Sequence, residues 1–401
     1  MSYFLFPEIH HIIENINIQN KPNPDSNPES NPDSNPECKL HTGLSLNGYL
    51  NNVKQQINDN CDDWDHIKRY TNPYEFIHTN IPNSKNSISK LKPISRSFYK
   101  MVELTNILHL LDEFNDTHIN TFHLAEGPGG FIEAMTYMRK NENDKYYGMT
   151  LINDDPNVPG WKKSNHFLDT HKNVSIEYGA SNTGDLLDVE NLKYCLDKYN
   201  NSMNIITADG GFDFSIDFNK QETLATNLLF AQVSFAIAMQ KTGGHFVLKI
   251  FDMFTKTTND IIYLLSTLYK QVFIVKPSTS RLANSEKYIV CKYFKGNNPS
   301  LIYKIISQYN KLTTGDYIVS ILDFTLDLYY MNKLEEYNAI FGQQQIENIA
   351  YTLNLMSYKN KNDKLEPLKK NNIHKCIQWC EKNNIPYHKI FSTSNIFILD
   401  K

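Results

Sequence analysis

Arginine is scarce in this sequence. Only Arg69, Arg96, Arg139 and Arg281 occur among 401 residues, and lysine carries most of the positive charge. The formal net charge of −4 argues against a globally basic nucleic-acid binder. It leaves room for a local basic groove, because only the field at the site matters. No apolar run approaches the roughly 20 residues that a membrane-spanning helix needs. The start, Met1-Ser2-Tyr3-Phe4-Leu5-Phe6-Pro7-Glu8, lacks a basic leader and is cut by Pro7, so a signal peptide is not expected and the reading is intracellular. Six cysteines (Cys38, Cys61, Cys195, Cys291, Cys376, Cys380) are scattered without a framework, which fits reduced thiols rather than a disulfide-built fold. His374, Cys376, Cys380 and His388 come nearest to a metal set. Cys376 and Cys380, however, stand one helical turn apart on an apolar face with Ile373 and Ile377, and that spacing reads as packing.

The length suits one large domain with additions. Residues 1–43 form an N-terminal segment, with a short amphipathic helix expected after Pro7. From Asn23-Pro24-Asp25-Ser26 a repeat runs through Glu37. Such a tract cannot bury a core and is expected to be a disordered acidic linker. Residues 44–298 carry the main domain. A helical pattern from Leu44 to Lys68 leads to Asn72-Pro73-Tyr74-Glu75, a turn. A polar connection from Pro82 to Pro93 follows, and then a helix containing Ser95 to Leu104. Beyond it strands and helices alternate. Strands are expected at Tyr146–Leu151, Val174–Tyr178, Met203–Ala208, Gly243–Asp252, Gln271–Val275 and Lys287–Cys291, with a long helix from Glu222 to Gln240. Continuous apolar strands alternating with helices imply an α/β, doubly wound and mostly parallel sheet, with the last two strands antiparallel. Residues 299–401 turn helical at Leu301–Asn310, Ile318–Tyr337 and Ile346–Met356, with a Lys/Asn-rich break from Lys359 to Asn372.

One stretch organises the rest: Thr121-Phe122-His123-Leu124-Ala125-Glu126-Gly127-Pro128-Gly129-Gly130-Phe131. An apolar strand passes through a carboxylate into three glycines, and helical spacing resumes at Ile132. This is how an open sheet presents its first loop to a nucleoside. Glycine lets the backbone approach a ligand, and the helix N-terminus offers unpaired N–H donors. The spacing is not the dinucleotide fingerprint, and no Lys-Ser/Thr pair makes a P-loop. Glu126 would meet the cationic part of a ligand.

Ligands of open α/β sheets bind beyond the carboxyl ends of the strands. Asp209 lies at such an end and Lys249 late in its strand. Glu286 opens a strand that, if antiparallel, starts at the same edge, and Lys100 lies on the helix feeding the glycine-rich strand. Each alone would be a surface charge. Together, in this order beside a ligand loop, they form a candidate catalytic set. A structural ion-pair network is the alternative.

Glu126-Gly-Pro-Gly-Gly-Phe131 resembles the S-adenosylmethionine loop of FtsJ-like RNA ribose 2′-O-methyltransferases, and Lys100, Asp209, Lys249 and Glu286 resemble that family's Lys-Asp-Lys-Glu tetrad. Asp209-Gly-Gly-Phe212, Phe246-Val-Leu-Lys249-Ile-Phe-Asp252, Arg281-Leu-Ala-Asn-Ser-Glu286-Lys-Tyr288 and Asn72-Pro-Tyr-Glu75 are similar to the mRNA cap branch. The resemblance covers about Lys68 to Lys295; neither the repeat nor the C-terminal helices match it. It implies a Rossmann-like, seven-stranded methyltransferase sheet with an N-terminal helical extension and an α-helical C-terminal appendage. It further implies S-adenosylmethionine as cofactor, held by Glu126, Gly127, Pro128, Gly129, Gly130 and Phe131. Gly184-Asp185-Leu186 resembles the family's adenine-contacting Gly-Asp-Ile/Val. Asp185 would accept from the adenine amino group while Leu186 packs on the ring.

A ribose 2′-hydroxyl is a poor nucleophile until its proton is removed or polarised. An ordinary lysine stays protonated at neutral pH, and burial or a second cation lowers its pKa. Lys249 is therefore expected as base, Lys100 as the second cation, with Asp209 and Glu286 orienting the ammonium groups. No zinc or magnesium is required. Lys68, Arg69 and Arg281 are candidates for phosphate or cap contacts, and Tyr70 and Tyr74 for stacking on a base. The expected partner is RNA, most simply 5′-capped mRNA, with capping or transcription machinery nearby. A methyltransferase of ribosomal or transfer RNA and an idle RNA-binding subunit remain as rivals. The Asn/Ile/Lys/Tyr-rich composition suits a large DNA virus or an A+T-rich protist, hence a cytoplasmic factory, a virion or a nucleus.

Overall fold

The computed structural model describes residues 2–11, 13, 15–22, 41–58, 61–153, 155, 158, 160–211, 220–296, 298–312, 316–358 and 362–389. The Asn-Pro repeat lies outside them. Strands are β1 (Ser2–Leu5), β2 (Gln19–Pro22), β3 (Asn120–Leu124), β4 (Lys145–Met149), β5 (Val174–Ile176), β6 (Met203–Ala208), β7 (Gln240–Ile250), β8 (Tyr269–Lys276), β9 (Lys287–Phe294) and β10 (Asp316–Ser320). Helices are α1 (Leu44–Asn58), α2 (Cys61–Thr71), α3 (Ser97–Leu108), α4 (Gly130–Arg139), α5 (Asn165–Thr170), α6 (Val189–Tyr199), α7 (Gln221–Leu224), α8 (Thr226–Met239), α9 (Lys256–Leu268), α10 (Pro299–Gln308), α11 (Leu328–Met356) and α12 (Asn362–Lys382).

Eight strands form one sheet in the order β1-β8-β9-β7-β6-β3-β4-β5. From β7 through β6, β3 and β4 to β5 every pairing is parallel, whereas β9 runs antiparallel to both β7 and β8. Alternate residues face opposite sides, as a pleated strand requires. Phe246, Leu248 and Ile250 enter one core layer with α8 and α9. Val247, Val290 and Tyr288 enter the other, with α3, α4 and α12. Lys249, two residues after Val247, therefore points to the α3 side. Helix α8, Thr-Asn-Leu-Leu-Phe-Ala-Gln-Val-Ser-Phe-Ala-Ile-Ala-Met, is apolar on nearly every face and is correspondingly buried along its length. Asp188, Thr255, Asn298 and Asp327 cap the N-termini of α6, α9, α10 and α11 through their side chains.

Three local expectations change. The segment after Pro7 is not helical at its described residues, and residues 2–5 instead add β1 to the edge of the sheet, with Ser2 opposite Lys276 and Phe4 opposite Ile274. The cause is a period of two. Tyr3 and Leu5 face outward at 49 % exposure each, while Phe4 stacks on Tyr337 and Phe6 on Tyr330. The helix expected over Ile318–Tyr337 is split, because the β-branched run in Asp316–Ser320 pairs with β2 and Asp327 caps a fresh helix start. Of the expected break at Lys359–Asn372, the residues from Asn362 onward belong to α12, which continues through Pro367.

Candidate active site

The parallel strands β3, β6 and β7 end at one edge of the sheet, and antiparallel β9 begins there. Asp209 follows β6, Lys249 is the penultimate residue of β7, and Glu286 immediately precedes β9. Lys100, in the first turns of α3, reaches the same point. Its ammonium lies 2.7 Å from Glu286 Oε1 and donates to Oε2 at 2.8 Å. The Lys249 ammonium donates to the Asp209 carbonyl at 2.7 Å and stands 3.4 Å from Asp209 Oδ1. Burial holds Lys100 below the ordinary lysine range, although Glu286 and Asp209 oppose the drop. Burial alone would raise Glu286, but Lys100 and Lys249 hold it well below the usual carboxylate range.

Tyr288 joins the two ion pairs, and sequence reasoning gave it no role. It lies directly opposite Lys249 in the β7–β9 ladder, and its hydroxyl donates to Asp209 Oδ1 at 2.9 Å. The Lys100 ammonium sits 6.0 Å from its ring centre. The available signal was its spacing, two residues after Glu286 and so on the same strand face. Ser280, whose hydroxyl donates to Glu286 Oε1 at 2.9 Å, was also missed.

The loop after β3 is shaped by backbone conformation. Ala125 adopts φ +51°, a left-handed value unusual for a residue with a side chain, and Gly129 adopts φ +111°. Glu126 is buried, and its Oε1 accepts from the N–H groups of Phe131 at 2.7 Å and Ile132 at 3.1 Å. Two donors expected to meet a ligand are thus satisfied internally, and Glu126 acts first as the cap of α4. Burial, reinforced by Asp209, pushes its carboxyl up to about 8. Gly127 and Pro128 form the partly exposed tip of the loop. Gly130 is needed for packing rather than ligand approach, because a Cβ there would stand 2.1 Å from Ser97 Oγ. Phe131 is fully buried against Tyr288 and belongs to the core. Gly184 adopts φ +65°, and a Cβ on it would stand 2.0 Å from the Thr150 carbonyl, so this loop closes tightly on the end of β4. Asp185 is half-buried and its Oδ1 accepts from Leu187 N–H, with Oδ2 accepting no hydrogen bond among the described residues. Leu186 is only 4 % exposed, which leaves little free surface for a ring.

On the opposite flank, Asn72-Pro-Tyr-Glu75 is a clamp. Asn72 Oδ1 accepts from Leu282 N–H, and Glu75 holds Arg281 through both oxygens at 2.6 and 3.0 Å. Tyr70 is buried among Trp64, Ile67 and Phe254 and offers no free face for stacking a base, whereas Tyr74 is half-buried against the core. The aromatic character of this turn serves packing. Lys68 pairs with Asp65, and Arg69 donates to the Asn80 carbonyl; both belong to the end of α2 that leads into the clamp. Cys376 and Cys380 are buried in the core, where the Cys376 thiol contacts the Pro73 carbonyl at 3.3 Å.

The FtsJ-like methyltransferase model matches residues 93–294. The chain belongs to the FtsJ-like methyltransferase family. A cap-specific mRNA (nucleoside-2′-O-)-methyltransferase 2 of Pongo abelii is 28 % identical over 347 residues, covering 83 % of this chain and 44 % of that protein. An inactive cap-specific mRNA (nucleoside-2′-O-)-methyltransferase 1B of Caenorhabditis briggsae is 28 % identical over 266 residues, covering 61 % of this chain and 30 % of that protein. A crystal structure described as a ribosomal RNA methyltransferase of Plasmodium falciparum aligns with 22 % identity and a TM-score of 0.35, covering 51 % of this chain and 99 % of that one. The chain spans less than half the length of the curated relatives it matches.

The methyl donor of an FtsJ-like methyltransferase is S-adenosylmethionine, and the residues present fit it. A cavity of about 690 Å³ opens at the carboxyl ends of three successive parallel strands, between Pro128 after β3, Thr150 and Leu151 after β4, and Ile176 and Tyr178 at the end of β5. That is a nucleoside-sized space. Gln232, fully buried on α8, has neither amide atom hydrogen-bonded among the described residues. It abuts Gly210, where a Cβ would meet its Nε2 at 2.0 Å and the Ala125 Cβ at 2.9 Å. Gly210 is thus required by packing, and the orphan amide of Gln232 beside the β3 loop suits a polar ligand.

Proposed function

We propose that this FtsJ-like methyltransferase methylates a ribose 2′-hydroxyl of RNA, with the 5′ end of capped mRNA as its acceptor. The observation that carries the reading is the meeting of Lys100, Asp209, Lys249 and Glu286 at the carboxyl edge of the sheet, around Tyr288. When bound, S-adenosylmethionine supplies an electrophilic methyl group; the Gly127–Gly129 loop would cradle it and Asp185 Oδ2 would take the adenine amino group. Lys249, as its neutral amine, takes the proton of the acceptor hydroxyl and becomes the ammonium. That ammonium is then held by a backbone carbonyl and by a carboxylate that it shares with Tyr288. Lys100, locked on Glu286, supplies the second positive charge that favours an oxygen carrying developing negative charge. The flanking Asn72–Glu75 clamp holds the loop that delivers Glu286 in register.

The cap is favoured because relatives whose names specify cap methylation align over most of this chain. The test compares one short RNA with and without a 5′ cap at fixed salt, with mass spectrometry locating the methyl group. Methylation of the capped RNA alone is expected. Equal methylation of both would move the acceptor to ribosomal or transfer RNA. Methylation of neither, with RNA still bound, would make this an idle copy, as the inactive Caenorhabditis briggsae relative illustrates.

A further inference from the structure

Two of the segments that bring tetrad residues to the acceptor side, the start of α3 and the loop before β9, also carry an arginine. Arg281 precedes Glu286 in the same loop and is neutralised by Glu75. Arg96 occupies the N-cap of α3 with helical backbone angles (φ −62°, ψ −19°). It therefore stands four residues before Lys100 on one helix face, one turn or about 5.4 Å along the axis. No hydrogen bond or ion pair engages the Arg96 guanidinium among the described residues, although the residue is partly buried.

The charges acting on it do not balance. Arg96, Arg281 and Lys100 are cationic, and Glu75 and Glu286 are anionic. His78, the remaining titratable neighbour of basic type, is driven to about 4 by burial and by Arg96, so it is neutral at working pH. Lys100 is committed to Glu286 and Arg281 to Glu75, and one positive charge remains. Like charges four apart on a helix destabilise it, and a shielded, unpaired cation is costly unless an anion completes the site. On a ribose, the 2′-hydroxyl and the 3′-phosphodiester occupy adjacent carbons. A hydroxyl presented to Lys249 brings such an anion with it.

We propose that Arg96, backed by Arg281, binds the RNA phosphodiester flanking the acceptor ribose. The inference rests on the RNA-acceptor reading and assigns its anionic contact to a residue outside the tetrad. The other phosphate source with this chemistry is the triphosphate bridge of a cap, and the experiment separates the two.

Fluorescence anisotropy would measure binding of a short capped RNA to wild type, Arg96→Gln and Arg96→Lys. The RNA would carry either a native linkage or one neutral methylphosphonate on the 3′ side of the acceptor ribose. Wild type is expected to lose roughly tenfold in affinity on the neutral linkage, and its salt slope should fall by about 0.7. Arg96→Gln should show the weaker binding already and be insensitive to the substitution; Arg96→Lys should recover part of it. S-adenosylmethionine affinity by calorimetry should be the same in all three proteins. Independent, additive losses from Arg96→Gln and the neutral linkage would overturn the assignment. So would a coupling that appears only when the cap triphosphate is replaced by a 5′-monophosphate. Should Arg96→Gln fail to fold, the same cycle run with Arg96→Lys decides, since a lysine that leaves the linkage effect unaltered also refutes the contact. Phosphate coupling without methylation would sink the proposed reaction and keep the clamp. Methylation of capped RNA without coupling would do the reverse.

Discussion

The hydroxyl of Tyr288 donates to Oδ1 of Asp209 across 2.9 Å, and the backbone of Tyr288 lies directly opposite Lys249 in the antiparallel ladder. One rigid, fully buried ring thus fixes the carboxylate that faces the lysine. Burial and the neighbouring Asp209 and Glu286 push the phenol well above its ordinary pKa, so it remains a donor at any working pH. Tyr288→Phe keeps the ring and removes only that bond. A hydrogen bond to a charged group contributes about 1.5–3 kcal/mol. Chemical denaturation should show a loss in that range, and methyl transfer should fall while S-adenosylmethionine affinity is retained. Unchanged turnover in Tyr288→Phe would remove Tyr288 from the positioning of Asp209.

The alternation of strands and helices from β3 to β9, the mostly parallel sheet and the four charged side chains were legible, because each has a local signature: an apolar run, a charge at its carboxyl end, and a fixed order along the chain. The glycine loop was legible as a loop, yet the reasons for its residues were not. Gly130 answers to Ser97 and Ser95, and Glu126 to the N–H groups of α4, contacts between segments that no spacing reveals. Tyr70 and Tyr74 are stacking candidates because they stand beside cations, whereas composition alone favours tyrosines anchored in the core, and Tyr70 is buried there. Strand β1 was missed because four residues carry too little periodicity. Its partner in the sheet, β8, lies more than 250 residues downstream. Arg96 lay in plain view one turn before Lys100, but only the packing of Glu75 against Arg281 leaves it without a counter-ion.

Replacing Lys249 should separate chemistry from binding. Lys249→Ala is expected to abolish methyl transfer while leaving S-adenosylmethionine affinity nearly intact, since its contacts are to Asp209. Lys249→Arg should also fail, because a guanidinium stays protonated and cannot take the acceptor proton. A single-turnover assay in which the arginine variant is active would end the general-base role.

Asp252 lies buried between Lys54 at 2.9 Å and Lys287 at 3.3 Å, and it accepts from Ser285 next to Glu286. Burial alone would raise its carboxyl, but the two ammonium groups hold it well below its ordinary 3.8. Its contribution to stability is therefore present above pH 3.8 and is lost as pH falls further. Asp252→Asn strands two buried cations and should cost about 3–5 kcal/mol. Lys54→Ala leaves Lys287 as partner and should cost less. Denaturant titrations giving the opposite order would show that the cluster does not tie α1 to the Glu286 loop.

Glu126 gives the site a pH dependence whose sign is fixed. Its carboxyl sits at about 8 in the folded protein against an ordinary 4.5. The folded state thus holds an extra proton between those values, and the associated stability, full below 4.5, is lost as pH rises through 8. A sulfonium ligand favours the ionised form. Its binding should therefore release a proton and tighten with rising pH up to about 8, by roughly tenfold per pH unit at most. S-adenosylhomocysteine has no charge on its sulfur and should respond less. Glu126→Gln retains an acceptor for the Phe131 and Ile132 N–H groups while removing the titration. It should flatten the pH profile of S-adenosylmethionine affinity and be the more stable protein above pH 8. Calorimetry in two buffers of different ionisation heat counts the released proton directly. The same proton release from wild type and Glu126→Gln would mean that another group titrates on binding and that Glu126 only caps its helix.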